Sequence, residues 1–353
     1  MSVLSSILAN STRPPQPFIL LQSSAAQSSL PVLNSFISKA KGTVVLACFL
    51  YSPKIFIKQE GVQQQIDLVD CREYVLEYHD EADDWKDNVF KSLQKLDSSS
   101  PLTVVIDSIE TLLSNASNSV CSVYAFLSEI LGTVQSHKGH SRLIIHGVGS
   151  SPLTSLLSQP SFSSTMVHII SHPPVLLTHL SRSYSLPPPP LTPPERFWSV
   201  FSPIADREHE GESLVFGSDG EGDGGDEIIL ELVVRGTGEG RRRAVERDLE
   251  GWKAESGLIG PCELKFLQSL GNVWTRKGTL DEATPDPTKN VSFNLKLTPE
   301  QQQSRAQVPL PYVHDGAPNL NTVGIGIPEG SILYDPDSAD DVDDDDPDED
   351  LDI

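Results

Sequence analysis

Cysteine is scarce in this sequence and never closely spaced. The four cysteines of the 353-residue chain lie far apart and form no CxxC pair: Cys48, Cys71, Cys121 and Cys262. Structural zinc sites and disulfide frameworks draw on cysteines at short, regular spacings. Three of the four lie in or beside apolar runs, so the sequence predicts buried free thiols in a reducing compartment.

Long hydrophobic runs are missing as well. No stretch approaches the roughly 18 apolar residues that a membrane-spanning helix needs. The first 17 residues also lack the basic start and apolar core of a signal peptide. The sequence therefore predicts a soluble, intracellular protein.

Basic residues are few relative to acidic ones. The chain has 26 Lys and Arg against 49 Asp and Glu, which gives a net charge of −23. Twelve of the acidic residues lie in segment 335–353, which has no basic residue. A chain with this net negative charge should not attract the phosphate backbone of a nucleic acid, so contact with nucleic acid would need a local basic patch.

Apolar runs of strand length alternate with amphipathic segments in the first half of the chain. Such alternation is typical of an α/β fold with a mainly parallel sheet and helices on both faces. We predict a flexible segment at 1–12 and one α/β domain over 13–275. The predicted strands are 18–21, 43–47, 65–70, 102–107, 143–146 and 167–170, and the predicted helices are 30–40, 84–96 and 119–135.

Proline and glycine interrupt the second half of this domain. A Pro-rich stretch at 187–194 predicts a linker, and 217–226 predicts a solvated Gly- and acid-rich loop. Between these two stretches, the sequence predicts an edge strand at 196–201. The strand predicted at 227–234 runs into GTGEG at 236–240, which favours a β-hairpin returning to residue 252. A helix remains an alternative for residues 241–252, because Val245, Leu249 and Trp252 would share one helical face.

The remainder, 276–353, is polar and increasingly acidic, which predicts a disordered tail. One less polar segment at 291–312 interrupts it. Its alternating apolar side chains would suit addition of a strand to a neighbouring sheet edge. The residues predicted to dock on a partner are Phe293, Leu295, Leu297 and Tyr312.

The first strand and helix enclose a loop where a nucleotide-binding fold would hold phosphate. A phosphate loop needs glycines for close backbone approach and a lysine for charge. Here the loop is SSAAQSS at 23–29, with neither residue type. Asp107 ends a buried strand as a magnesium-binding acid does, but capping of the next turn is the favoured interpretation. We predict no bound nucleotide or other cofactor.

No other pattern predicts catalysis. The pairs His137/His140 and His168/His172 lack accompanying carboxylates or cysteines, so a metal site is not expected. Three arginines follow the glycines of the hairpin: Arg241, Arg242 and Arg243. They are either solvated or contact phosphates of an RNA.

Four stretches together resemble the Elongator complex protein 5 family. Two are in the tail, VSFNLKLTPEQQQSRAQVPLPY at 291–312 and DDDDPDEDLDI at 343–353. The other two are VVLACFLYSP at 44–53 and LTVVIDSIETLL at 102–113. In this comparison the irregular stretches 187–194 and 217–226 are insertions.

The resemblance implies a RecA-like domain without the ATP-binding signature. Such a subunit assembles with Elongator complex proteins 4 and 6 into a heterohexameric ring that binds tRNA. The ring belongs to a complex that modifies the wobble uridine, with the chemistry in another subunit, in the cytoplasm and nucleus. The family supplies no catalytic residue to transfer. Two alternatives stay open: an NTPase with an irregular phosphate loop, and a chaperone that binds basic proteins through the acidic tail.

Overall fold

The computed structural model describes most of the first 275 residues. The described ranges are 2–12, 14–57, 65–74, 84–149, 151–218, 227–236, 245–253 and 260–275, together with residue 303. The chain divides into two units, Met1–Thr284 and Pro285–Ile353. Apart from residue 303, all described residues lie in the first unit.

Nine described strands form one sheet in the order β3-β2-β4-β5-β1-β6-β7-β8-β9. The six strands from β1 to β6 pair in parallel, and β7 to β9 extend the sheet antiparallel from β6. The predicted mainly parallel sheet is confirmed. The strands are β1 Phe18–Ser23, β2 Thr43–Cys48, β3 Ile66–Asp70, β4 Leu102–Ile106, β5 Arg142–Val148, β6 Met166–His172, β7 Glu227–Arg235, β8 Val245–Lys253 and β9 Gly260–Cys262.

Ten helices lie in the described part of the chain, and no described helix is long and apolar enough to cross a membrane. Short 3-10 turns occur at Pro53–Ile55, Leu264–Phe266 and Gln268–Leu270. The helices are α1 Val3–Leu8, α2 Leu30–Ser38, α3 Asp84–Gln94, α4 Ile109–Asn115, α5 Val120–Ser136, α6 Pro152–Leu157, α7 Pro174–Ser183, α8 Pro194–Ala205, α9 Glu208–Phe216 and α10 Gly271–Thr275.

Alternate side chains of each central strand enter opposite hydrophobic cores. Phe18 and Leu20 of β1 pack with α3, α4, α5 and α6, whereas Ile19 and Leu21 pack with α1 and α2. All five residues of β4 are buried, as expected for a strand covered on both faces. A third core joins α7, α8 and α10 to the antiparallel strands. The predicted α/β class with helices on both faces is therefore confirmed.

The antiparallel extension confirms the predicted hairpin. Strands β7 and β8 pair from Glu227 opposite Lys253 to Arg235 opposite Val245. The alternative of a helix for the return is excluded because 245–253 is a strand. Residues 237–244, which connect the two strands, lie outside the described part of the chain.

The prediction of an edge strand at 196–201 is wrong, because these residues belong to helix α8. Phe197, Phe201 and Ile204 are buried at spacings of four and three, which places them on one helical face. Pro194 occupies the first helical position, where its missing N–H removes no hydrogen bond. The prolines at 187–194 lead into a helix, and they join α7 to α8 inside the first unit.

The N-terminal segment differs from the predicted flexible stretch at 1–12. Helix α1 buries Leu4, Ile7 and Leu8 against the sheet. At its start the carboxylate of Glu250 accepts the backbone N–H of Val3 at 2.6 Å. At its end the guanidinium of Arg142 donates to the carbonyl oxygen of Ile7 at 3.0 Å. An acid at the start and a base at the end both complement the helix dipole.

Candidate functional site

The loop between β1 and α2 is closed by its own hydrogen bonds. The backbone N–H of Ser24 donates to the carbonyl of Gln27 at 3.0 Å, and the N–H of Gln27 donates to the carbonyl of Ser24 at 3.3 Å. The N–H of Gln27 also lies 3.1 Å from the hydroxyl oxygen of Ser24. These N–H groups therefore point into the loop and have acceptors there.

The start of α2 offers no free donor to a phosphate. The N–H of Leu30 donates to the hydroxyl of Ser28 at 3.2 Å. Pro31 has no N–H, and the N–H groups of Val32 and Leu33 both donate to the carbonyl of Ser29 at 3.0 Å. Anions bind at helix starts because these N–H groups are normally unpaired. At the start of α2 these N–H groups are paired, so they are not available to bind an anion.

A buried hydrogen-bonded chain runs under the loop from Ser29 to Asp107. The hydroxyl of Ser23 lies 2.8 Å from the hydroxyl of Ser29 and 2.8 Å from Nε2 of His146. It also accepts the backbone N–H of Ser29 at 2.8 Å. Nδ1 of His146 lies 2.6 Å from the carbonyl oxygen of Asp107. We call Ser23, Ser29, His146 and Asp107 the serine–histidine chain.

The partners fix the protonation of His146. A carbonyl oxygen can only accept, so Nδ1 carries the proton and Nε2 accepts from the hydroxyl of Ser23. Burial lowers the pKa of His146, which favours this neutral form. A serine that donates to a histidine is also seen in hydrolases. Here Ser23 and His146 are both buried, so the pair serves to join β1 to β5.

Asp107 caps the turn after β2. Its carboxylate accepts the backbone N–H of Phe49 at 2.6 Å, of Leu50 at 3.1 Å and of Tyr51 at 2.7 Å. Burial raises the pKa of Asp107, and the three N–H donors oppose that shift. A capping role is confirmed, but the capped turn follows the neighbouring strand β2 and not Asp107 itself; the bonds engage both carboxylate oxygens.

Glu110 is the second carboxylate near this edge of the sheet. It lies in the first turn of α4, where its Oε2 accepts from the hydroxyl of Ser108 at 3.3 Å. Burial raises the pKa of Glu110. Among the residues that the structure describes, no three His, Cys, Asp or Glu side chains converge as metal ligands.

The histidine and cysteine predictions have mixed outcomes. His168 Nε2 lies 2.9 Å from Gln22 Oε1, so it is engaged in the sheet. All four cysteines are free; Cys48 and Cys71 are buried, but Cys121 is exposed and Cys262 half-buried. The expectation of buried thiols is therefore wrong for Cys121, which lies on the solvent side of α5.

Sequence reasoning missed a charged network on the antiparallel extension. The carboxylate of Glu231, on β7, lies 3.0 Å from Nε2 of His172 and 2.6 Å from the guanidinium of Arg247 on β8. The Arg247 guanidinium also stacks 4.3 Å from the ring centre of Trp198 and donates to the Ser202 hydroxyl at 2.7 Å. This Glu231 network joins β6, the hairpin and α8.

A polar cleft of about 260 Å³ opens between the loop after β1 and the start of α9. Its walls include Gln22, Ser24, His168, Glu231 and Arg207. Gln22 and Glu231 are engaged by the bonds given above, and Arg207 pairs with Glu210 at 2.8 Å. Other polar groups of the lining are not engaged by these bonds, and the buried hydroxyl of Ser171 has no hydrogen-bond partner among the described residues.

The residues that the sequence predicted for partner and RNA contact lie outside the described part of the chain. They are Phe293, Leu295, Leu297 and Tyr312 of the tail, and Arg241, Arg242 and Arg243 of the hairpin turn. These assignments stay predictions.

Comparison with known proteins gives one family match and several relatives. The model of the Elongator subunit Iki1 family matches residues 3–185. This range contains 44–53 and 102–113, whereas the tail stretches lie beyond it. Elongator complex protein 5 of Danio rerio is 38% identical over 73 residues, covering 21% of this chain and 25% of that protein. The Mus musculus protein of the same name is 38% identical over 77 residues, covering 19% and 23%.

The aligned part thus spans about a quarter of the length of these curated relatives. Among solved structures, a KaiC-like protein from Pyrococcus horikoshii is 10% identical, with 69% of this chain and 87% of that chain covered and a TM-score of 0.36. The family match covers more than half of the sequence, from α1 to just after α7. The chain belongs to the Elongator subunit Iki1 family.

Proposed function

We propose that this chain is a non-catalytic structural subunit of the Elongator complex. In this role it assembles with Elongator complex proteins 4 and 6 into a heterohexameric ring that supports wobble-uridine modification of tRNA, in the cytoplasm and nucleus. The observation that carries the proposal is the loop after β1. The N–H groups of Ser24, Gln27 and Ser29 and those at the start of α2 are engaged within the protein, so these donors of the position where the fold would hold a triphosphate serve internal support.

Native mass measurement of the tagged endogenous protein tests the assembly. We expect a complex with two further subunits of similar size, each present twice, since a RecA-like subunit without nucleotide contacts would contribute its surface to ring neighbours. Recovery as a monomer, or with unrelated partners alone, would argue against the proposal.

The tail offers a sharper test of how assembly occurs. Substituting Phe293→Asp or Leu295→Asp should reduce recovery of the two partners severalfold, because a buried carboxylate would disrupt strand addition. The matched control is Asn294→Asp, which adds the same charge on the alternate side of the extended segment. If all three variants recover the two partners as well as the unaltered chain does, segment 291–312 is not the docking segment.

The NTPase alternative makes a different prediction. An active site with an irregular loop requires ATP binding by the isolated chain, lost in Asp107→Ala. We expect no binding at about millimolar ATP by calorimetry, since the loop 23–29 has neither the lysine nor the glycines of a phosphate loop. Saturable ATP binding that depends on the loop would overturn the non-catalytic assignment.

A further inference from the structure

Four exposed lysines gather at the amino ends of neighbouring parallel strands. Lys39 and Lys41 precede β2, Lys95 precedes β4, and Lys138 precedes β5. Because β2, β4 and β5 are adjacent in the sheet, their preceding loops lie side by side. We call these four residues the amino-end lysine surface.

Direct contacts hold the three loops together. The N–H of Thr43 donates to the carbonyl of Pro101 at 3.1 Å, and the N–H of Lys138 donates to the carbonyl of Ser98 at 2.9 Å. Behind them, the N–H of Leu102 donates to the hydroxyl of Ser141 at 2.9 Å. The lysines are therefore carried by one fixed platform.

Two glycines let the loops before β2 and β5 pack directly on Pro101. Gly42 has a φ of +83°, and a Cβ there would lie 2.2 Å from the carbonyl oxygen of Pro101. Gly139 has a φ of +89°, and its Cβ would lie 3.2 Å from Cγ of Pro101. No L side chain fits at Gly42 without moving the backbone. This close packing fixes the spacing of the loops that carry the lysines.

The charge of this surface is opposite to that of the whole chain. In the loops 39–42, 95–101 and 137–141 the four lysines face a single acid, Asp97, whose carboxylate is engaged by Ser99. In the part of the chain that the structure describes, none of the four lysines forms an ion pair. Among the described residues these four cations therefore have no acidic partner, although the chain carries a net charge of −23.

We propose that the amino-end lysine surface binds an extended acidic peptide of a partner protein. Charge complementarity favours a polyanion, and three features favour a peptide over RNA. The three loops contain no arginine for bidentate phosphate contact and no Phe, Tyr or Trp for base stacking. The net charge of the chain repels a long polyanion more than a short one.

The size of the surface agrees with this partner. The loops before β2 and β5 are two strand spacings apart, about 10 Å. An extended peptide rises about 3.3 Å per residue, so about six residues cross the three loops and extend beyond them. Alternate Asp or Glu side chains of such a segment can meet lysines of all three loops.

Fluorescence anisotropy with the full chain and a labelled deca-glutamate peptide tests the proposal. We expect saturable binding at about 20 mM salt that weakens as salt rises to about 150 mM. The variant Lys41→Glu/Lys138→Glu should bind about tenfold more weakly, because each reversal replaces attraction by repulsion. The neutral variant Lys41→Gln/Lys138→Gln should lose less affinity for the peptide than the charge-reversed variant does.

The matched control is Lys54→Glu/Lys265→Glu, which changes net charge equally at exposed lysines outside the surface, and it should bind as the unaltered chain does. An equal loss in this control would show a bulk charge effect and overturn the proposal. So would the absence of binding at low salt. Tighter, lysine-dependent binding of a 20-base-pair RNA duplex, about two turns long, would assign the surface to nucleic acid instead.

Discussion

Replacing Asp107 with alanine is expected to lower the free energy of unfolding by about 3 kcal/mol. The carboxylate accepts three backbone N–H groups in the turn after β2, and alanine leaves all three without that acceptor. An unsatisfied buried donor costs about 1–3 kcal/mol, and Leu50 and Tyr51 are exposed enough for water to compensate in part. Urea denaturation followed by circular dichroism at pH 7 measures the change.

Two controls separate the cap from simple loss of charge. Asp107→Asn keeps one acceptor oxygen, so we expect a smaller loss, about 1–2 kcal/mol. Asp97→Ala removes an exposed carboxylate and should change stability by no more than about 0.5 kcal/mol. If Asp107→Ala proved as mild as Asp97→Ala, the carboxylate would not be a structural cap, and its place beside the phosphate position would need another explanation.

The second large effect is expected at Glu231, where alanine should cost about 3 kcal/mol at pH 7. Removing one member of a buried ion pair leaves the partner charge uncompensated. Here the guanidinium of Arg247 would keep only Ser202 and the ring of Trp198, and His172 would lose its acceptor. Thermal and urea unfolding measure the loss, with the exposed Glu246→Ala on β8 as the matched control.

The effect of Glu231→Ala should depend on pH. Burial would raise the pKa of Glu231, but the hydrogen bond from His172 and the charge of Arg247 outweigh it and hold the pKa below its ordinary value of 4.5. A carboxylate with a lowered pKa stabilises the fold above its unfolded pKa, and the stabilisation is lost as pH falls through the folded value. The difference in unfolding free energy between parent and variant should therefore shrink as the pH falls below about 4.5. A stability difference that stays constant down to pH 3 would contradict an ionic role for Glu231.

Local patterns were sufficient to predict much of the parallel sheet. The apolar run of β4 is too short for a helix and is bounded by a proline and an acid, so it was recognisable as a buried strand. The hairpin was predictable because glycines separate two strand-like runs. At α8 the same local reasoning fails: the Pro-rich stretch 187–194 predicts a linker, although a proline at the first helical position, here Pro194, is common at the start of a helix.

The site itself was only partly predictable. The missing glycines and lysine of the loop 23–29 were visible in the sequence, and so was Asp107 at the end of its strand. The bond between Ser23 and His146 joins residues 123 apart, and that between His172 and Glu231 joins residues 59 apart. Such pairs depend on strand order and register, which no local spacing encodes.

Helix α1 has a consequence for synthesis of the chain. The carboxylate that holds its start belongs to Glu250, 247 residues beyond Val3. Ribosomes add about 5–20 residues per second, so helix α1 waits on the order of tens of seconds for its partner. During that interval Leu4, Ile7 and Leu8 cannot complete their packing against the hairpin. The residues of α1 are made well before β8 but are thus among the last to reach their final place, and the fold closes only when β8 has left the ribosome.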